Sequence, residues 1–166
     1  MKIITAEKVH IPAIQQIAEK SWNVAYRDIL SPQQIEYMLD MMYSKTALEE
    51  QMLNLNHHFF LIGDGSANDF YGFISYEFNY NNEPKTKIHK LYMLPGKQGA
   101  GSGKLLIDAV ASEAKAQNNN VISLNMNRKN NAHSFYARVG FEIVKTEDID
   151  IGNGYLMEDY VLEKKI

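Results

Sequence analysis

The segment Gln98-Gly99-Ala100-Gly101-Ser102-Gly103-Lys104 constrains this chain more than any other. A strand-like apolar run, Ile88 to Leu94, leads into it, and a helical pattern opens out of it at Gly101. Three glycines at alternate positions leave the backbone nearly bare. Bare N–H groups at the start of a helix, with the positive end of the helix dipole behind them, form an anion site. The expected guest is a phosphate or pyrophosphate.

Two common phosphate loops fail on inspection. A P-loop requires G-x-x-x-x-G-K-[ST], but Gln98 stands at the first glycine and Leu105 at the Mg²⁺-binding hydroxyl. A dinucleotide fingerprint requires G-x-G-x-x-G, and from Gly99 the third glycine position is Lys104. What fits is Q-x-x-G-x-G, through Gln98, Gly101 and Gly103. That pattern resembles the acyl-CoA pyrophosphate loop of the GNAT superfamily of N-acyltransferases. A glycine-rich turn without a ligand is the bland alternative for so short a motif.

The rest of the chain supplies the context. Lys2–Ala6 reads as a strand and His10–Asn23 as a helix with Pro12 in its first turn. Ser31-Pro32 and Ser44 open two more helices, and Phe59–Ile62 is a strand. Residues 63–69 are turn chemistry. Phe70–Tyr80 and Thr86–Leu94 are strands joined by a turn at 81–84. A helix over Gly101–Gln117 presents Leu105, Leu106, Ala109, Val110 and Ala114 inward. Val121–Met126 is a strand, Asn130–Val139 a helix stopped at Gly140, and Phe141–Val144 and Tyr155–Glu163 are the last strands. This order predicts an α/β (α+β) fold. One mixed sheet of about six to seven strands carries helices on both faces, in a single domain over 1–166.

Composition narrows the function classes. A net charge of −3 gives no electrostatic case for nucleic acid. The absence of cysteine removes disulfides, thiolate metal sites and cysteine nucleophiles. The start, Met1-Lys2-Ile3-Ile4-Thr5, has neither an apolar signal region nor a membrane span, so the expected compartment is the cytoplasm.

A second block runs from Asn127 to Phe141. Asn130, Ala132, Phe135, Tyr136, Gly140 and Phe141 lie at the positions of the GNAT pattern N-x-A-x-x-F-Y-x-x-x-G-F. It follows the glycine loop in the expected order and at the expected distance. The stretches Ser21–Leu30, Tyr37–Ser44 and Asp150–Tyr160 further resemble the bacterial polyamine (spermidine/spermine) N-acetyltransferases within that superfamily.

The resemblance implies transfer of an acetyl group from acetyl-CoA to a primary amine of a small molecule. Gln98, Gly99, Ala100, Gly101, Ser102, Gly103 and Lys104 would hold the pyrophosphate. Leu91, Tyr92 and Met93 would pair their backbone with the pantetheine arm, with an oxyanion donor near Met93. Asn130 would bond the pantetheine, cap its helix, or both. Tyr136 is the candidate general acid for the departing thiolate, and a core aromatic is its plain alternative.

Many members place a glutamate five residues before the motif asparagine, where this chain has Asn125, which takes no proton at neutral pH. Glu77, His89 and Glu158 are the other base candidates, alongside water. Trp22, Tyr26, Tyr37, Met41 and Tyr43 form an aromatic and methionine set that divides between helix core and acceptor pocket. Glu158 and Asp159 would add negative charge there. The acceptor-site residues are thus Trp22, Tyr26, Glu77 and Glu158. His57-His58 is an adjacent pair with no carboxylate at ligand spacing, so no metal is expected. Peptide acetylation and a non-catalytic acyl-CoA-binding module remain alternatives. A monomer or homodimer without nucleic acid or membrane partner is expected.

Overall fold

The computed structural model describes residues 1–65 and 69–166. These residues form seven strands, five α-helices and two short 3-10 turns. In chain order they are β1 (Lys2–Thr5), α1 (Ile11–Ala25), α2 (Pro32–Tyr43), α3 (Lys45–Leu53), β2 (His58–Gly63), β3 (Phe70–Glu77), β4 (Lys85–Met93) and α4 (Ser102–Ala116). β5 (Val121–Asn127), α5 (His133–Arg138), β6 (Glu142–Asp150) and β7 (Leu156–Lys165) complete the fold. The turn expected over 63–69 falls in part on residues 66–68, outside the described residues.

One seven-stranded sheet runs β1-β2-β3-β4-β5-β7-β6. Neighbours are antiparallel except β4 and β5, which are parallel because α4 crosses over between them. Caps fix the early helices. Ser31 Oγ accepts from Gln34 N at 3.1 Å, with Pro32 at the first helical position. Ser44 Oγ accepts from Ala47 N at 3.2 Å.

Strand alternation divides the buried residues into two cores. Ile62, Ile74, Ile88, Ile122, Leu124, Met126 and Leu162 meet Leu106, Ile107 and Val110 of α4 on one face. Phe59, Leu61 and Phe73 meet Ile14, Ile17, Trp22, Ile35, Met38 and Leu48 of α1–α3 on the other.

Four expectations shift. β3 stops at Glu77 because Asn79 turns left-handed, at φ 52°, and its N–H is taken by Asn119 Oδ1. On α4 the buried stripe includes Ile107 and leaves Leu105 exposed, because Leu106, Ile107, Val110 and Ala114 share the inward face at helical spacing. α5 starts at His133, not Asn130, because the Asn127 and Asn130 side chains accept from Lys129 N and Ala132 N and fold the chain into turns first. β6 continues to Asp150 as a polar edge strand, with a register shift between Ile143 and Lys145.

Candidate active site

β4 and β5 pair from Lys85↔Val121 to Ile88↔Leu124, and among the described residues no ladder joins them beyond that point. From His89 to Met93, β4 therefore has one edge hydrogen-bonded to β3 and one edge without a strand neighbour. Leu94 N donates to Tyr71 O, so by alternation the backbone of Met93 points to the open side. Its carbonyl accepts from Ser21 Oγ of α1 at 2.8 Å, which leaves its N–H directed to the gap. By the same alternation the backbones of Leu91 and Met93 face the open edge, and that of Tyr92 faces β3.

The gap leads to the glycine loop. Gly99 and Gly101 have φ of +87° and +82°, a region that L side chains rarely adopt. Gly101 is the N-cap of α4, and Gln98 and Ala100 lie exposed beside it. Gly103 lies close to α5: a Cβ there would meet Phe135 Cζ at 3.0 Å, so the ring would have to give way. Ser102 is buried, with Oγ 3.4 Å from Tyr71 Oη, so it anchors the loop. The ammonium of Lys104 is paired with Asp108 one turn along α4.

Tyr136 of α5 packs between Phe135 and Phe141 against the core beneath α4. Burial pushes its phenol up, and the Tyr26 hydroxyl adds to the effect. Tyr26, at the end of α1, lies 3.3 Å hydroxyl to hydroxyl from Tyr92 and also against the Asn130 amide. These three tyrosines and Asn130 bring α1, β4 and α5 together.

A row of polar side chains crosses the sheet on the α1–α3 side. Lys87 Nζ donates to Asn125 Oδ1. Asn125 Nδ2 donates to Glu147 Oε2 at 2.9 Å and Asp159 Oδ2 at 3.3 Å. Burial lowers the Lys87 ammonium to about 8 and raises the Asp159 carboxyl. Towards the other edge, Glu77 Oε2 lies 2.9 Å from His89 Nε2 and 3.8 Å from His57 Nε2. The two imidazoles stack with centroids 4.0 Å apart. Burial holds them neutral, with His57 lowered to about 4 and His89 to about 2.

Several expectations are corrected here. Trp22 is 2 % exposed and packs on Tyr26, Tyr43 and Tyr92, with Nε1 donating to Tyr43 Oη at 3.3 Å; it backs the site and does not line it. Glu158 alternates to the face opposite Asp159 and binds Arg128 at 3.1 Å. Glu77 is held between His89 and His57, on the β2–β3 side of the row. The statement that no carboxylate meets the histidines is also overturned, because β3 brings Glu77 between them. These three groups have the chemistry of metal ligands, but the Lys90 and Lys87 charges that depress His89 oppose a cation there.

Comparisons with known proteins identify the family and the fold. The family model described as an acetyltransferase (GNAT) domain matches residues 26–164. The chain belongs to the GNAT acetyltransferase family. A PaiA N-acetyltransferase of Thermoplasma acidophilum, solved in complex with coenzyme A, is 25% identical with a TM-score of 0.80, covering 100% of both chains. A GCN5-related N-acetyltransferase of Rhodopseudomonas palustris shares the fold at 19% identity and a TM-score of 0.81, covering 99% of this chain and 95% of its own. An uncharacterized N-acetyltransferase of Mycobacterium bovis is 33% identical over 81 residues, 48% of this chain and 51% of that protein. The chain spans about half the length of the curated relatives it matches. No helix among the described residues is long and apolar enough to cross a membrane.

Proposed function

We propose that this chain transfers the acetyl group of acetyl-CoA to the primary amine of a small cationic molecule, with a polyamine such as spermidine as the first acceptor to test. One observation carries the reading. The open edge of β4 runs from the glycine loop at α4 to the polar row on the far side of the sheet. It gives a phosphate-bearing thioester and an amine separate approaches to one point.

The backbone of 99–104 would hold the pyrophosphate at the start of α4. The Leu91–Met93 edge would take the pantetheine, and the Met93 N–H would face the thioester oxygen. Asn130 has its Oδ1 committed to Ala132 N, which leaves its amide N–H₂ to donate. Tyr136 would protonate the departing thiolate. Its raised pKa keeps the phenol fully loaded with its proton at neutral pH. The acidic balance of the polar row, and the branch resemblance at 21–30 and 150–160, favour a cationic acceptor.

The test is CoA release from acetyl-CoA with a panel of polyamines, amino acids and peptides. Release with spermidine or spermine supports the reading. Release with peptide N-termini alone moves the assignment to protein acetylation. CoA binding by calorimetry provides the control. Gly101→Val, strained at φ +82° but meeting nothing within 4 Å, should weaken CoA at least ~10-fold and leave the fold intact.

A further inference from the structure

We propose that Asp159 is the group that receives the proton of the incoming ammonium and anchors it beside the open edge of β4. The inference rests on the acetyltransferase reading above and names the residue that makes a protonated amine reactive.

Three observations carry it. First, Asp159 is 6 % exposed, and its Oδ1 has no hydrogen-bond partner among the described residues. A buried carboxylate oxygen without a donor is costly, and a ligand ammonium would supply the missing bond. Second, the two carboxylates share their neighbours unequally. From β4, Lys87 faces two carboxylates, Asp159 of β7 and Glu147 of β6. Lys145 stands 3.7 Å from Glu147. Arg128, after β5, is engaged by Asp148 and Glu158 at 2.7 and 3.1 Å. Asn125 of β5 donates to both carboxylates but carries no charge. Asp159 therefore takes its one hydrogen bond, at Oδ2, from a neutral donor, while Lys87 and Arg128 act on it only as charges, and Oδ1 stays unpartnered. Third, Asp159 pairs with Asn127 at the end of β5, past the last β4–β5 pair at Leu124, so it lies beside the gap on the α1 side of the sheet, where Tyr26 also packs.

Asn125 explains the arrangement. Its Oδ1 is fixed by Lys87, so its Nδ2 must face the carboxylates. It orients Asp159 through Oδ2 and leaves Oδ1 for the amine. Desolvation raises the Asp159 carboxyl, which moves its proton affinity toward that of an amine and makes transfer less uphill.

The step balances. The ammonium gives one proton to the Asp159 carboxylate. The freed nitrogen lone pair forms the C–N bond at the thioester carbon, and the C–S bond breaks. The sulfur takes the Tyr136 phenol proton, and the phenolate recovers one from the amide nitrogen. Asp159 then returns its proton to solvent.

The experiment is the pH dependence of kcat/KM for spermidine in the wild type, Asp159→Asn and Asp159→Glu. If Asp159 takes the proton, the wild-type profile is flat between the Asp159 ionisation and that of the amine. In Asp159→Asn only free amine reacts, so log kcat/KM climbs with unit slope to the amine pKa, and the neutral-pH rate falls ~10²–10⁴-fold. Asp159→Glu keeps the plateau at a reduced height, which a purely structural role would not produce. CoA affinity stays at the wild-type value in both variants and checks their folding. A wild-type profile that already has unit slope overturns the proposal, as does an Asp159→Asn profile of unchanged shape and height. Wild-type protein that releases no CoA with any amine overturns the acetyltransferase reading itself, a distinct result.

Discussion

Ile122, Leu124 and Met126 point from β5 into the core beneath α4, while Ser123, Asn125 and Asn127, interleaved with them, point to the side of α1. Both sets are largely withdrawn from water: Leu124 is 2 % exposed and Ser123 3 %. One set is held by packing alone. The other spends hydrogen bonds on Lys87, Glu147, Asp159 and the turn at Lys129. Burying polar groups yields little net stability even when they are paired. A polar face of this kind is therefore poor at holding a sheet together, and its presence here fits a task beyond stability.

The largest expected effect tests the proposed proton donor to the departing thiolate. Tyr136→Phe should lower kcat and kcat/KM together by ~10²–10⁴-fold, with acetyl-CoA affinity and melting temperature nearly intact. Steady-state kinetics beside calorimetry would show it. A wild-type rate would make Tyr136 a packing residue against Phe135 and Phe141.

Leu124→Ala should do the reverse. Removing a buried leucine typically costs ~2–5 kcal/mol. Urea unfolding should show that loss, while the remaining folded protein turns over at close to the wild-type rate.

Acid should act next, through the polar row. His57 and His89 are neutral in the fold, with pKa values of about 4 and about 2, against ~6.5 when unfolded. The unfolded chain therefore binds more protons below that value, so stability is full above pH ~6.5 and declines as pH falls toward 4. Denaturant midpoints measured across this range should fall, and a His57→Gln, His89→Gln variant should flatten the decline.

The smallest effect sharpens the comparison most. Asp159→Asn removes a buried carboxylate with an orphaned oxygen and should raise stability by ~1 kcal/mol, a few degrees in melting temperature, as activity falls. Because the folded carboxyl is raised, this gain is present above the unfolded pKa and vanishes in acid. Differential scanning calorimetry at pH 7 and pH 3.5 would separate the two cases.

Local motifs were legible in the sequence, and cross-strand constellations were not. The glycine loop and the Asn130–Phe141 block are contiguous, so their spacing survives folding. Asn125, Asp159, Glu147 and Lys87 come from four strands, and only the register of the ladders brings them together. Glu158 and Asp159 are adjacent in sequence and on opposite faces in space. Which of them faces the site depends on which side of β7 carries Leu162 into the core. His89 is hidden further by the irregularity opposite Ser75 and Tyr76, which inserts it as an extra residue. Without that insertion His89 and Lys90 would take opposite faces. With it both look toward α3 and Glu77.

The four residue pairs that join β4 to β5 have a mechanical meaning. The sheet is two plates, β1–β4 and β5–β7, welded at one corner, with α4 as the strap across the back. Strain applied to either plate concentrates at Lys85–Ile88, so amides at this weld report on the rigidity of the entire molecule. Any guest whose backbone-like atoms bond to β4 beyond the weld lengthens the seam. Occupancy would then slow hydrogen exchange at residues far from the guest, in both plates at once.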